Sequence, residues 1–205
     1  MRSSDGETRD LVTSRPGAGW DFSLARHPYF AHERDLGPHY CVYNRRLMAA
    51  RFDTRSAEDG YWTYRRDVDL LLTGEYVLQF KGPDAALLLD RVFTRDITKL
   101  KVGRWCYGLA CYDDGGLIVD GIVMRLDGQL YWYVQADCDF YSWVRAHARG
   151  LDVELSDPDV FVSQVQGPNS LKFLEAASQH GLPVNASDAR GHSGSPFLTQ
   201  RTTGT

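Results

Sequence analysis

Residues 113–126 carry the pattern that decides the fold, and they read Asp113-Asp114-Gly115-Gly116-Leu117-Ile118-Val119-Asp120-Gly121-Ile122-Val123-Met124-Arg125-Leu126. The first four residues are typical of a hairpin turn, and the remainder is typical of a strand that is apolar on both faces. Alternation places Asp120 on the face of Ile118 and Ile122, with Val119 and Val123 opposite. A carboxylate on an apolar face is costly unless it is paired, hydrogen-bonded or used by a ligand. Asp120 is therefore the first candidate for function.

Two interpretations of Asp120 stay open from the residue pattern alone. In one, the carboxylate accepts a hydrogen bond from a bound ligand or holds a reacting amine. In the other, the carboxylate is satisfied by backbone amides or by an arginine across the sheet, for which Arg104 and Arg125 are available. The Gly115-Gly116 pair is explained by the turn itself, because no phosphate-binding motif surrounds it.

Composition excludes several classes of function. The chain has 205 residues, 43% of them hydrophobic, and a net charge of -4, which argues against binding to nucleic acid. Its four cysteines form no CxxC pair and its histidines form no cluster at metal-ligand spacing, so we expect no metal site. No nucleophile motif suggests a covalent hydrolase. No signal peptide or membrane-spanning run is found, so we expect a cytoplasmic protein that does not bind membranes.

Strand and helix patterns extend outward from the Asp120 strand on both sides. They predict strands at 76–81, 105–112, 117–126, 130–135, 151–155 and 160–165, and helices at 85–93 and from about 140 to 149. This order lacks regular βαβ spacing, which favours an α+β fold with a mainly antiparallel sheet. The nearest simple topology is a split βαββαβ arrangement.

Four regions follow from the changes in pattern along the chain. We expect a disordered tail over residues 1–20, an N-terminal segment of a first domain over 21–74, an α+β domain over 75–168, and a short helix followed by a disordered tail over 169–205. Within the second region, residues 58–72 are predicted to be helical.

The strand at 130–135 is rich in aromatic residues and ends in polar ones. Tyr131 and Tyr133 share one face, where they either pack in the core or form a stacking wall for a flat heterocycle. Gln135, Asp137 and Asp139 follow at the strand's end, where they either orient a ligand or cap the next helix.

Several motifs together resemble the glycine cleavage T-protein (aminomethyltransferase) family. Three segments occur in that family's order and spacing: Lys81-Gly82-Pro83-Asp84-Ala85, Gly115-Gly116-Leu117-Ile118-Val119-Asp120 and Val165-Gln166-Gly167-Pro168. Three more look like its dimethylsulfoniopropionate demethylase branch: Val42-Tyr43-Asn44-Arg45, Asp96-Ile97-Thr98-Lys99 and Ala136-Asp137-Cys138-Asp139. The likeness runs from about residue 27 to about residue 175.

The resemblance implies a tetrahydrofolate-dependent methyl transferase or demethylase with a small-molecule methyl donor. It implies Asp120 as the catalytic carboxylate, which orients or deprotonates the accepting folate nitrogen. The residues implied for folate binding are Tyr43, Asn44, Tyr107, Asp120, Gln135 and Asp137. The alternative is a non-catalytic folate-binding relative or a degenerate one without activity.

Three departures from the family pattern qualify this interpretation. Val119 stands where T-proteins have the first of two adjacent acids and where the demethylase branch has an asparagine, so it supplies neither group. Leu71-Leu72-Thr73 replaces an Asp-Val-Ser segment of the family. Family members are about twice as long, and the likeness ends near Leu182. We therefore hypothesise a C-terminally truncated or frame-shifted chain that is incomplete relative to the family and self-associates through exposed apolar surface.

Overall fold

The computed structural model describes residues 2–3, 24–136 and 138–178. These residues divide into two compact units. The first unit comprises the described residues up to Glu75 together with Phe161–Leu174, and the second comprises Tyr76–Val160 with the residues after Leu174. The fold is α+β with mainly antiparallel sheets, which confirms the predicted class.

The secondary structure follows in chain order. Its elements are β1 (Arg2–Ser3), β2 (Leu24–Arg26), α1 (Phe30–Glu33), a 3-10 helix (Arg34–Leu36), β3 (Pro38–Tyr43), β4 (Arg46–Phe52), α2 (Ala57–Arg66), β5 (Asp69–Leu72), β6 (Tyr76–Lys81), α3 (Ala85–Val92), β7 (Arg104–Cys111), β8 (Leu117–Arg125), β9 (Leu130–Gln135), α4 (Phe140–His147), β10 (Glu154–Ser156), β11 (Ser163–Gln166) and α5 (Ser170–Ala177).

The first unit contains two sheets. One has the strand order β1-β2-β4-β3, in which only β2 and β4 run parallel. Its apolar core consists of Leu24, Phe30, Tyr40 and Leu47. The other sheet pairs β5 with β11 in antiparallel register. This pairing joins residues that lie about ninety positions apart in the chain.

The second unit is a five-stranded antiparallel sheet covered on one face by two helices. The strand order is β10-β6-β9-β8-β7. Helix α3 buries Ala85, Leu88, Leu89 and Val92, which recur at the spacing of one helix face, and α4 lies beside it. The sequence order β-α-β-β-β-α-β has one strand more than the simple βαββαβ arrangement.

The strands predicted at 151–155 and 160–165 are observed as Glu154–Ser156 and Ser163–Gln166. Two further segments differ in the kind of structure predicted. The predicted helix over 58–72 ends at Arg66, because residues 69–72 pair as β5 with β11. Arg2–Ser3 pairs with β2, although residues 1–20 were expected to form a disordered tail. The rest of that predicted tail, and the one predicted after α5, lie outside the described residues.

Candidate functional site

The Tyr107 hydroxyl donates a hydrogen bond to the Asp120 carboxylate, and this pair is the centre of the candidate site. Tyr107 lies on β7 opposite Ile122, and Asp120 lies on β8 opposite Leu109, so the two side chains are diagonal neighbours across the hairpin. The hairpin turn predicted at residues 113–116 joins these strands, and Gly115 adopts a φ of 86° there.

Asp120 and Tyr107 lie on the sheet face that the helices of this unit leave uncovered. Val119 and Val123 point to the helix-covered face, where they are buried, and alternation places Asp120 opposite them. Tyr107 is 49% exposed and Asp120 is half-buried. The Asp120 face is therefore apolar but open, rather than part of the core.

The hydrogen bond favours the protonated form of the phenol further. Its bond to Asp120, then burial and the negative charge of that carboxylate, raise the pKa of Tyr107 above its ordinary value of 10.0. At neutral pH the phenol is therefore a donor that holds one carboxylate oxygen. Within the described chain, Asp120 receives no other hydrogen bond, so its second oxygen is able to accept one from a ligand.

Arg125, one of the two arginines considered as a partner for Asp120, binds elsewhere. It donates to the carbonyl oxygens of Leu100 at 2.8 Å, Gly128 at 2.9 Å and Asp127 at 3.2 Å. The arginine thereby closes the turn between β8 and β9. Asp120 is satisfied by a tyrosine instead, which the sequence had not suggested as its partner.

The aromatic strand β9 contributes to the core. Tyr131 and Tyr133 are fully buried on the helix-covered face, where the Tyr133 ring lies 4.7 Å from Phe93 and 5.1 Å from Phe140. Burial raises the pKa of both phenols. The two tyrosines therefore pack in the core and do not form a stacking wall for a ligand. On the other face, Trp132 Nε1 donates to Gln79 Oε1 at 3.0 Å.

Gln135 is buried at the end of β9 on the face opposite Asp120. It lies directly across from Gly121, and its Nε2 donates weakly to the carbonyl oxygen of Cys138 at 3.4 Å. Its Oε1 has no partner in the described part of the chain. The structure thus does not bring Gln135 together with Asp120, and its role in ligand binding stays a prediction.

The polar residues that follow β9 include a helix cap. Asp139 accepts a hydrogen bond from the backbone N–H of Ser142 at 3.3 Å and so caps α4. Asp137, the neighbouring predicted ligand residue, lies outside the described residues.

Tyr43 and Asn44 belong to the first unit. Asn44 and Arg45 form the turn between β3 and β4, with φ angles of 48° and 60°. The Asn44 side chain donates from Nδ2 to the carbonyl oxygen of Gly74 at 2.8 Å. Tyr43 is half-buried at the end of β3, against the same Gly74. In this structure both residues support the segment that leads into Glu75, a residue that the sequence analysis did not single out.

The described residues contain neither a metal-binding cluster nor a membrane-spanning helix. None of the histidine, cysteine, aspartate and glutamate side chains described forms a group of three or more that could hold a metal ion. None of the helices described is long and apolar enough to span a membrane.

Comparison with known proteins identifies relatives along most of the chain. A sequence model of the GCVT N-terminal domain matches residues 43–201, which extends beyond the likeness seen in the motifs. Dimethylsulfoniopropionate demethylase DmdA of Ruegeria pomeroyi is 33% identical over 135 residues, which are 64% of this chain and 36% of the demethylase. An aminomethyltransferase of Symbiobacterium thermophilum is 33% identical over 115 residues, which are 52% of this chain and 30% of that protein.

A solved structure supports the same relationship at the level of the fold. The glycine cleavage system aminomethyltransferase T from Bartonella henselae superposes with a TM-score of 0.68 at 20% identity and covers 80% of this chain. The match covers 45% of that protein. The chain thus spans less than half the length of each of these relatives.

Proposed function

Since this chain belongs to the GCVT family, whose N-terminal domain its residues 43–201 match, we propose that it acts in tetrahydrofolate-dependent one-carbon transfer and binds the folate at Asp120 and Tyr107. The observation that carries the proposal is the Tyr107–Asp120 hydrogen bond on the uncovered face of the sheet. Asp120 is the proposed catalytic group because its second oxygen is available beside a partly exposed phenol.

Each residue of the pair has a distinct proposed role. Tyr107 holds one oxygen of Asp120 and so fixes the direction of the other. That second oxygen accepts a hydrogen bond from the folate and orients or deprotonates its reacting nitrogen. Tetrahydrofolate supplies the nitrogen that accepts the one-carbon unit. The pair lies on an open face of the sheet, so the bound folate itself would cover this contact and exclude water from it.

A methyl group from a small-molecule donor is the proposed cargo. The similarity to a demethylase supports this choice. Val119 weighs against aminomethyl transfer, for which two adjacent acids are expected, but it also lacks the amide that the demethylase branch is expected to have at that position. Val119 is buried against the helices, whereas Asp120 lies on the uncovered face. The same substitution favours the second candidate function, which is folate binding without transfer.

Gln135, Asp137, Tyr43 and Asn44 remain proposed folate-binding residues on the family resemblance alone. Gln135 has the most direct structural support, since its Oε1 is buried and has no hydrogen-bond partner within the described part of the chain. A buried carbonyl oxygen of this kind gains from a ligand donor.

The test is calorimetric titration of tetrahydrofolate into the full chain and its variants. Asp120→Asn keeps the shape but removes the charge, and we expect binding to weaken by about 10-fold to 100-fold, the worth of a hydrogen bond to a charged group. Tyr107→Phe should weaken it less, because the carboxylate remains. The matched control is Asp113→Asn, which changes an exposed carboxylate in the adjacent turn.

The outcomes separate the candidate functions. Equal affinity in wild type and Asp120→Asn, with circular dichroism unchanged, would contradict the proposed site. Folate binding with no methyl transfer from any sulfonium, amine or methoxy donor would favour the binding-only function.

A further inference from the structure

The segment Thr73-Gly74-Glu75 in the first unit is held in place by four hydrogen bonds. Thr73 donates from its backbone N–H and its hydroxyl to the carbonyl oxygen of Val162, at 3.3 and 3.2 Å. Asn44 Nδ2 donates to the Gly74 carbonyl at 2.8 Å, and an Arg46 guanidinium nitrogen donates to the Glu75 carbonyl at 3.1 Å. The backbone that carries the Glu75 side chain is therefore fixed from three directions.

Close packing at Gly74 restrains the same segment. A Cβ atom at this position would lie 2.2 Å from the Met48 sulfur and 2.4 Å from Cδ1 of Tyr43, so a larger residue would have to displace these side chains. Tyr43 and Met48 thus contact the backbone directly. The backbone directly before Glu75 is therefore closely packed.

The Glu75 carboxylate has one partnered oxygen and one without a partner. Gln164 Nε2 donates to Oε1 at 3.0 Å, and Gln166 Nε2 donates to Gln164 Oε1, also at 3.0 Å. This chain of amides orients the carboxylate. Its other oxygen, Oε2, is buried and accepts no hydrogen bond from the described residues. Burying an oxygen without a hydrogen-bond partner is unfavourable, and most so when the group is charged.

Arg46, which binds the backbone of Glu75, does not pair with its carboxylate. Arg46 is buried, donates to the backbone carbonyl of Glu75, and places its guanidinium 4.6 Å from the ring centroid of Phe161. No ion pair between the Glu75 carboxylate and a described residue is formed. A carboxylate held in place with one unpartnered oxygen is stabilised most by a donor that carries a positive charge. Such a donor supplies a hydrogen bond and also balances the negative charge.

We propose that Glu75 is the ligand-binding carboxylate of a second site, in the first unit, which takes the protonated amine of a small organic molecule. Gln164 orients the carboxylate through Oε1, and the amine donates an N–H to Oε2. Asn44 and Arg46 act as positioning residues, since they bind the backbone at Gly74 and Glu75 rather than the ligand. The proposal does not depend on folate binding at Asp120.

The test uses three small probes of similar size that separate charge from hydrogen bonding. Methylammonium has both a charge and N–H donors, tetramethylammonium has the charge without N–H, and N-methylacetamide has an N–H without charge. Each is titrated into the 15N-labelled full chain at constant ionic strength, and the amide shifts of Gly74, Glu75 and Gln164 are followed. We expect a saturable shift with methylammonium alone.

Variants test whether the shift arises at Glu75. Glu75→Gln should weaken methylammonium binding at least tenfold, and Gln164→Met should weaken it several-fold because the carboxylate loses its orienting amide. Glu58→Gln is the matched control, since Glu58 is an exposed acid on α2 of the same unit. Preserved dispersion of the amide spectrum in each variant excludes unfolding as the cause.

Three results would overturn the proposal. The first is a shift that does not saturate in the wild type, and the second is equal binding by Glu75→Gln. The third is equal binding of tetramethylammonium or N-methylacetamide, which would mean that the site does not need a charged N–H donor.

Discussion

Asp120 and Tyr107 show what a single pair of side chains adds to a sequence pattern. The strand pattern singled out Asp120 as an unusual carboxylate, and the family resemblance included Tyr107 among the residues near the ligand. Neither indicated that the two bind each other. Their contact depends on the register of β7 against β8, which contains an irregularity between Ala110 and Cys111. A shift of one residue would have sent the two side chains to different faces.

The Tyr107–Asp120 bond predicts a measurable change in titration. Asp120→Asn removes the charge that raises the pKa of Tyr107, so that pKa should fall back toward 10.0. NMR of 13Cζ-labelled tyrosine, with Tyr107→Phe to assign the signal, measures the midpoint directly. An unchanged midpoint in Asp120→Asn would contradict the bond.

The sign of the associated stability effect follows from the direction of the shift. A raised pKa in the folded state contributes stability that is fully present below the pKa of the unfolded chain and is lost as pH rises through the folded value. The extra stability of wild type over Asp120→Asn should therefore persist at neutral pH and decline only above about pH 10.

Strands and helices of the second unit follow the local pattern closely. The strands at 76–81 and 130–135 have the predicted bounds, and α3 ends one residue before its predicted end. Their apolar periodicity and turn residues are local signals. The segment 58–72 differs because the pairing of β5 with β11, a contact distant in sequence, overrides its helical pattern after Arg66.

Gly121 allows β8 and β9 to pack at their observed distance. A Cβ atom there would lie 2.2 Å from the carbonyl oxygen of Val134 and 2.9 Å from the Tyr133 ring. Gly121→Ala should therefore lower the free energy of unfolding by about 1–3 kcal/mol, the typical effect of overpacking. Gly128→Ala is the control, because its added Cβ would meet no atom within 4 Å.

Urea unfolding of the two glycine variants measures the difference. Because Gly121 adjoins Asp120, we also expect Gly121→Ala to weaken folate binding, which Gly128→Ala should preserve. Equal stability of the two variants would show that the strands separate without cost.

The two units have separate cores. One is built mainly from a continuous stretch of the chain, and the other from two separate stretches. The second unit is built mainly from the continuous stretch Tyr76–Val160, whereas the first unit combines residues before Tyr76 with Phe161–Leu174. The local pattern predicts residues 161–168 to be part of the 75–168 domain. Most of that segment belongs to the first unit instead, because β11 pairs with β5. Local composition carries no signal for such a return.

Separate cores predict separate responses to core mutation. Leu47→Ala in the first core and Leu88→Ala in the second each remove a fully buried side chain, and each should cost about 2–5 kcal/mol. Hydrogen exchange should increase in β3 and β4 for the former, and in α3 and β9 for the latter. Leu87→Ala is the control, since Leu87 is 48% exposed beside Leu88. Faster exchange throughout the chain in both core variants would show one cooperative core.

Alternating side chains, helical spacing and turn residues are properties of neighbouring positions, so they were sufficient to predict the α+β class, most elements of the second unit and Asp120 as a candidate. The partner of Asp120, the opposite orientation of Gln135 and the fixed carboxylate of Glu75 depend on strand register and on contacts between distant residues. Those contacts depend on how the strands pair, because each joins segments whose local preferences are independent of one another.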